Sequence, residues 1–164
     1  MTPEPVKFPN PSHDAHAQEP DVLLALTVLG EARGEEALGR SAVAHVVKNR
    51  MAKSGRSVAD TVLAKWQFSC WNHADPNRLF LEDTIAKGAK NVPMATWLAC
   101  WVAAVEALFG DSPDPTGGAT HYCTKNLWAV PSAGRPKWHD AEEIGSGRTV
   151  ETARIGNHVF ARAK

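Results

Sequence analysis

The sequence has no excess of either charge: eighteen Lys and Arg balance eighteen Asp and Glu. That removes the basic stripe with which a protein grips a polyanion, and the acidic block of a solvating tail, so nucleic acid is not an expected partner. Cysteine is scarce. Cys70, Cys100 and Cys123 are far apart and form no C-x-x-C pair, which excludes a zinc ribbon and a dithiol redox motif. Cys100 falls in an apolar helical pattern and reads as a buried thiol; the spacing leaves open whether Cys70 and Cys123 pair. No apolar run is long enough to span a bilayer, so membrane insertion is not expected. A basic stretch followed by an apolar segment, the mark of a secretory signal, is also missing. The expectation is a chain made in the cytoplasm, reaching a target outside only if another agent lets it through.

What is present suits one domain. A chain of 164 residues can bury a core without staples, and 43% hydrophobic with 22% charged residues is the balance of a soluble globule. Residues 1–19 hold four prolines, two histidines and few large apolar side chains. They read as a flexible N-terminal arm, with the domain proper over 20–164.

Periodicity predicts mostly helix. Residues 21–32 are apolar nearly all round, through Val22, Leu23, Leu24, Leu26, Val28 and Leu29, with Asp21 as cap. Such a helix belongs at the centre of a small domain. A second helix covers 35–52, with Glu35 and Glu36 at its positive end and a stripe of Leu38, Ala42, Val43, Val46 and Val47. Ser57 to Asp60 ("SVAD") forms a capping box for a short third helix through Ala64. The stretch 66–79 mixes aromatics with Asn, Asp and Pro, as a functional loop does, and a short helix over 79–87 follows. The strongest pattern is 93–109, where Met94, Trp97, Leu98, Trp101, Val105 and Leu108 share a face and Gly110 ends the helix. Residues 119–124 and 154–162 read as strands with a Pro- and Gly-rich loop between them. The fold class is α+β, mainly helical, with a small antiparallel sheet in the C-terminal part.

Glu31 stands out. It ends an apolar segment, between Gly30 and Gly34. A helix C-terminus, apolar burial and nearby Glu35 would each disfavour its charge, as a general acid at neutral pH requires. The two glycines would let a substrate approach the backbone. The bland alternative is an ion pair with Arg33 or Arg50. Glu35 reads first as an N-terminal helix residue.

"LALTVLGEARGEEALGRSAVAHVVKNR" resembles the opening of the SleB-like cell-wall hydrolase family of spore-cortex-lytic enzymes and phage endolysins. The matching positions are Glu31, Ala32, Arg33, Gly34, Glu35, Gly39, Ala42, Val43, Ala44, Val46, Asn49 and Arg50. Downstream, Gln67-Phe68-Ser69, "GGATHYC" (117–123) and "IGNHVF" (155–160) follow in the family's order. Four motifs in order are far more specific than one. The resemblance implies a lysozyme-like fold and cleavage of peptidoglycan between N-acetylmuramic acid and N-acetylglucosamine. It implies a lytic transglycosylase whose essential glutamate maps to Glu31, with no cofactor and no metal.

On that reading Glu31 is the catalytic acid and base, while Gln67, Ser69, Trp71, Tyr122 and Glu35 are candidates for binding glycan. For Gln67 and Ser69, capping of their own loop is an equal alternative. His121 and Tyr122 point to opposite faces of a strand, and Tyr122 is the better candidate for holding sugar or Glu31. His158 reads as a hydrogen-bonded core histidine or a site residue, and Asn49 and Arg50 as residues that orient the first helix. Trp97 and Trp101 read as core; Trp66, Trp71, Trp128 and Trp138 as platforms for sugar faces. The alternatives are a hydrolytic muramidase with Glu35 or Asp75 activating water, a zinc amidase using some of the histidines and Cys123, and a wall-binding module without catalysis. The amidase lacks any H-E-x-x-H or C-x-x-C spacing. The partner is the peptidoglycan glycan strand, met by a monomer. The setting is a phage endolysin acting in the periplasm after holin-type release.

Overall fold

The computed structural model describes residues 5–129 and 149–163. Its order is α1 (Pro20–Ala32), α2 (Ala37–Ser54), α3 (Val58–Val62), a 3-10 turn (Ser69–Trp71), α4 (Pro76–Ala86), α5 (Met94–Phe109), β1 (His121–Thr124), α6 (Lys125–Ala129), β2 (Thr149–Ile155) and β3 (His158–Ala163). The three strands form one antiparallel sheet in the order β1-β3-β2. It is an α+β fold of the lysozyme-like kind.

α1 is the axis of the helical part. Every residue from Asp21 to Leu29 is buried, and α5, α2, α3 and α4 surround it. Its six large apolar side chains contribute about 1.5–3 kcal/mol each on burial, which makes it the chief anchor of the core. The helix starts one residue before the predicted start, with Pro20 at the first position, where a missing N–H costs nothing. Asp21 therefore lies inside the first turn and not at the cap.

The predicted face of α5 is rotated. Trp97, Cys100, Trp101, Ala104 and Ala107 are buried, whereas Met94 and Leu98 are exposed. Small alanines let α5 lie close along α1, so the helix turns its compact side inward and leaves larger apolar groups outside. Leu38, assigned to the inner stripe of α2, is also exposed. Ser57 caps α3 as the sequence suggests, accepting from Asp60 N at 3.1 Å. Asp75 caps α4 by accepting from Asn77 N at 2.8 Å, with Pro76 opening the helix. The stretch read as one strand over 154–162 is a hairpin. Ile155 pairs with His158 across a two-residue turn, and Gly156 takes φ +56° there, which side chains rarely tolerate. All three cysteines are free and buried.

Residues 5–19, expected as a flexible arm, lie against the body. Lys7 Nζ reaches Asp21 Oδ2 at 3.0 Å and Glu19 Oε2 at 2.7 Å, and the two carboxylates raise its pKa. Lys7 O accepts from Trp97 Nε1 at 2.9 Å, and Phe8 stacks on Trp97. Gln18 is buried and bonds Asn10 N, Asn10 O and His13 O. Composition pointed to disorder because the segment is held by a few specific contacts, the Phe8 stack, the Gln18 amide and the Lys7 ion pairs, which counting apolar residues does not weigh. Lys7→Met leaves Asp21 buried without its cation, so urea unfolding should show a loss of about 1–3 kcal/mol. Asp21→Asn in the Lys7→Met background should recover part of that loss; no loss in the single variant would mean the segment is not anchored this way.

Candidate active site

Three chain segments meet at one carboxylate. Glu31 sits in the last turn of α1. Its Oε1 accepts from Cys70 N at 2.8 Å and from Ser69 Oγ at 3.2 Å. Its Oε2 accepts from Tyr122 Oη at 2.6 Å. A 3-10 turn supplies the first two donors and an edge strand the third. Burial pushes the Tyr122 hydroxyl well above its ordinary pKa, and the charge on Glu31 adds to this. The phenol therefore stays protonated and able to donate.

Gly30 explains how the turn gets so close. A Cβ there would lie 2.6 Å from Cys70 Cβ and 2.9 Å from Leu81 Cδ1. The glycine beside Glu31 admits Cys70, and with it the donating N–H, instead of substrate. Gly34 has open space around it. Burial pushes the Cys70 thiol far above the ordinary thiol range, so it is a neutral packing group here.

Arg50 holds the two donor segments together. Its Nε donates to Thr120 O at 2.6 Å, and a terminal nitrogen lies 3.3 Å from Gln67 O and 3.4 Å from Gln67 Oε1. The guanidinium covers the Phe68 ring at 4.6 Å. Burial lowers its pKa, and neighbouring Tyr122 and Glu31 pull the other way. Asn49 acts on the same strand entry, donating to Ala119 O and Asp114 Oδ2, each at 2.9 Å. Burial would raise the Asp114 carboxyl, but bonds from Thr116, Asn49 and Gly118 outweigh it and hold the carboxyl low. The Asn-Arg pair thus positions β1 and Tyr122, and not the first helix as expected.

The other candidates divide. Ser69 touches Glu31, and exposed Gln67 sits beside it on the loop. Trp71 is buried, its Nε1 bonded to Thr27 Oγ1 at 3.0 Å; it packs under the site. Glu35 does not cap α2. It precedes the helix, accepts from Asn157 N at 3.3 Å and faces His158 Nδ1 at 3.2 Å. A Cβ on Gly156 would collide with its carboxylate. His158 is buried and meets Tyr122 edge-on, ring centroids 5.2 Å apart. Burial lowers its pKa, against the pull of Glu35 and Glu31. Trp66 is exposed and takes φ +66°, while Trp138 and His139 lie outside the described residues. Among the described residues no three of His, Cys, Asp and Glu gather as a metal site. The role of the Cys70 N–H was missed by sequence reasoning. A glycine inside an otherwise apolar helix was the signal that something packs there.

Two outcomes follow. Gly30→Ala must push the 3-10 turn outward, so wall-lytic activity should fall at least about tenfold at temperatures where the variant is folded, with an overpacking cost of about 1–3 kcal/mol; unchanged activity would sink this role for the glycine. Burial, with Arg50 and Lys53 nearby, lowers His121 from 6.5 to about 4. The unfolded chain then binds the extra proton between those values, so stability is full above pH 6.5 and falls as pH drops toward 4. Denaturant midpoints across that range should show the slope, flattened in His121→Gln.

A sequence model of the family described as Cell Wall Hydrolase matches residues 34–161. The span covers α2, the donor loop and the sheet, and opens just after Glu31. Among solved structures the chain is similar to the catalytic domain of the Bacillus cereus SleB protein, at 24% identity and a TM-score of 0.57, over 85% of this chain and 87% of that one. That likeness speaks to the fold. No curated protein matches the chain. With the family's model spanning most of the domain and a SleB-like fold beneath it, the chain belongs to the cell wall hydrolase family.

Proposed function

We propose that this peptidoglycan-cleaving enzyme is a lytic transglycosylase that cuts between N-acetylmuramic acid and N-acetylglucosamine, with Glu31 as the only acid and base. The observation that carries the reading is the set of donors on Glu31. A carboxylate offers about four lone-pair positions. Tyr122, Cys70 and Ser69 occupy three. One remains to hold the proton that goes to the glycosidic oxygen. After the bond breaks, the same position receives the proton of the muramic acid C6 hydroxyl. That oxygen closes on C1 and gives a 1,6-anhydro end. The nucleophile belongs to the substrate, so its attack is intramolecular and no second carboxylate is required.

The commitments of the neighbouring acids support this over hydrolysis. Glu35 accepts from Asn157 N and faces His158, and Asp75 accepts from the N-terminus of α4. A hydrolytic muramidase would need one of them free to activate water. Ser69 and Gln67 flank the acid and would bind the glycan. The cellular role that goes with this chemistry is that of an endolysin, made in the cytoplasm and reaching the wall through a holin.

Glu31→Gln should lower glycan cleavage about 10²- to 10⁴-fold, and cells expressing the wild type with a holin should lyse while those with the variant do not. Mass spectrometry of digested peptidoglycan should show products one water lighter than hydrolytic ones. Hydrated reducing ends would overturn the transglycosylase step, and full activity in the variant would overturn the assignment of Glu31.

A further inference from the structure

Where the C-terminal end of α2 meets the donor loop and the entry to β1 lies a groove of about 460 Å³. Arg50, Lys53, Arg56 and His121 line it, with Gln67 and Thr120 between them. Among the described residues no acidic side chain is in its lining. This is unusual in a chain whose charges cancel. Among the described residues neither Lys53 nor Arg56 has an ion-pair partner. Arg50 spends its nitrogens on carbonyl and amide oxygens, not on a carboxylate. Three cations therefore share one concave surface on which, among the described residues, no carboxylate pairs with Lys53 or Arg56, and their field is felt within it: Arg50 and Lys53 add to the burial that lowers the His121 pKa.

The groove is built from the same two segments as the site. Gln67 is two residues before Ser69, and Thr120 two before Tyr122. The groove and the site therefore share two chain segments, with His121 lining the groove and Tyr122, its neighbour on the opposite face of β1, meeting Glu31. Arg50 belongs to both, as groove wall and as the tie between the segments. A glycan strand whose muramic acid lies at Glu31 carries its peptide stem sideways from that sugar, and the stem bears free carboxylates.

We infer that this groove is a subsite for a carboxylate of the peptide stem, with Lys53 and Arg56 as its specificity-determining residues. The inference rests on the reading of Glu31 as the glycan-cleaving acid, and adds that the enzyme recognises the stem as well as the sugar. Lys53 and Arg56 are exposed and meet the anion by charge; exposed pairs are worth little individually, so the expected effect is modest.

The test compares two substrates with the full chain: glycan strands with intact stems, and the same strands after an amidase has removed them. Lys53→Ala/Arg56→Ala should raise KM about 3- to 10-fold on intact strands, with kcat unchanged. On stripped strands the variant should match the wild type. Added salt should erase the wild type's preference for intact strands, because exposed charges are screened. An equal loss on both substrates, no loss on either, or a loss that follows wall phosphate content and not stems would each overturn the proposal. Glu31→Gln on the same pair of substrates separates the two ideas. Loss on both supports the reaction, and survival on both refutes the reaction while leaving the groove result readable.

Discussion

A half-buried carboxylate at the end of a buried apolar helix is met by donors from the protein, and most of the site follows from that contact. Glu31 is satisfied by donors from two segments that are remote from it in sequence. Because Glu31 is only half-buried, water would replace part of what these donors supply, and their loss would cost about 1–3 kcal/mol. The 3-10 turn, the close approach at Gly30 and the path of β1 all serve to deliver those donors. The same arrangement that stabilises the helix end therefore presents a carboxylate with one open position.

The supporting residues form a connected set. Arg50 binds the carbonyls of both donor segments, and Asn49 and Asp114 fix the turn that leads into β1. His158, Phe160 and Phe68 surround the Tyr122 ring. Glu35 in turn ties the entry of α2 to the hairpin turn at Asn157. Helix and sheet are thus joined mainly through polar contacts around the acid. A smaller apolar cluster of Ala42, Val46, Ala119 and Phe160 lies behind them.

Much of this was legible in the sequence, for identifiable reasons. The all-apolar pattern of α1 placed it at the centre, and the capping box located α3. Glu31 was conspicuous because a charge at that point needs an explanation. Strand alternation let only one of His121 and Tyr122 face the site, Tyr122 was favoured for its hydroxyl, and that hydroxyl does meet the acid. Other features depend on distances that a linear pattern cannot carry. Gly30 serves a contact with a residue 39–40 positions away in the chain. The inner face of α5 was misjudged because small residues pack inward where the sequence pattern favoured large ones. Trp71 looked like a sugar platform in a polar loop, yet Thr27 inside α1 offers its indole a buried acceptor.

The bond from Tyr122 to Glu31 joins residues 91 apart. Closing so long a loop costs entropy before the contact contributes anything, whereas the turns of each helix form locally. The donor set around Glu31 is accordingly expected to form late in folding. Helical content can return before the acid has its phenol, and the state of this one bond reports whether the sheet has docked.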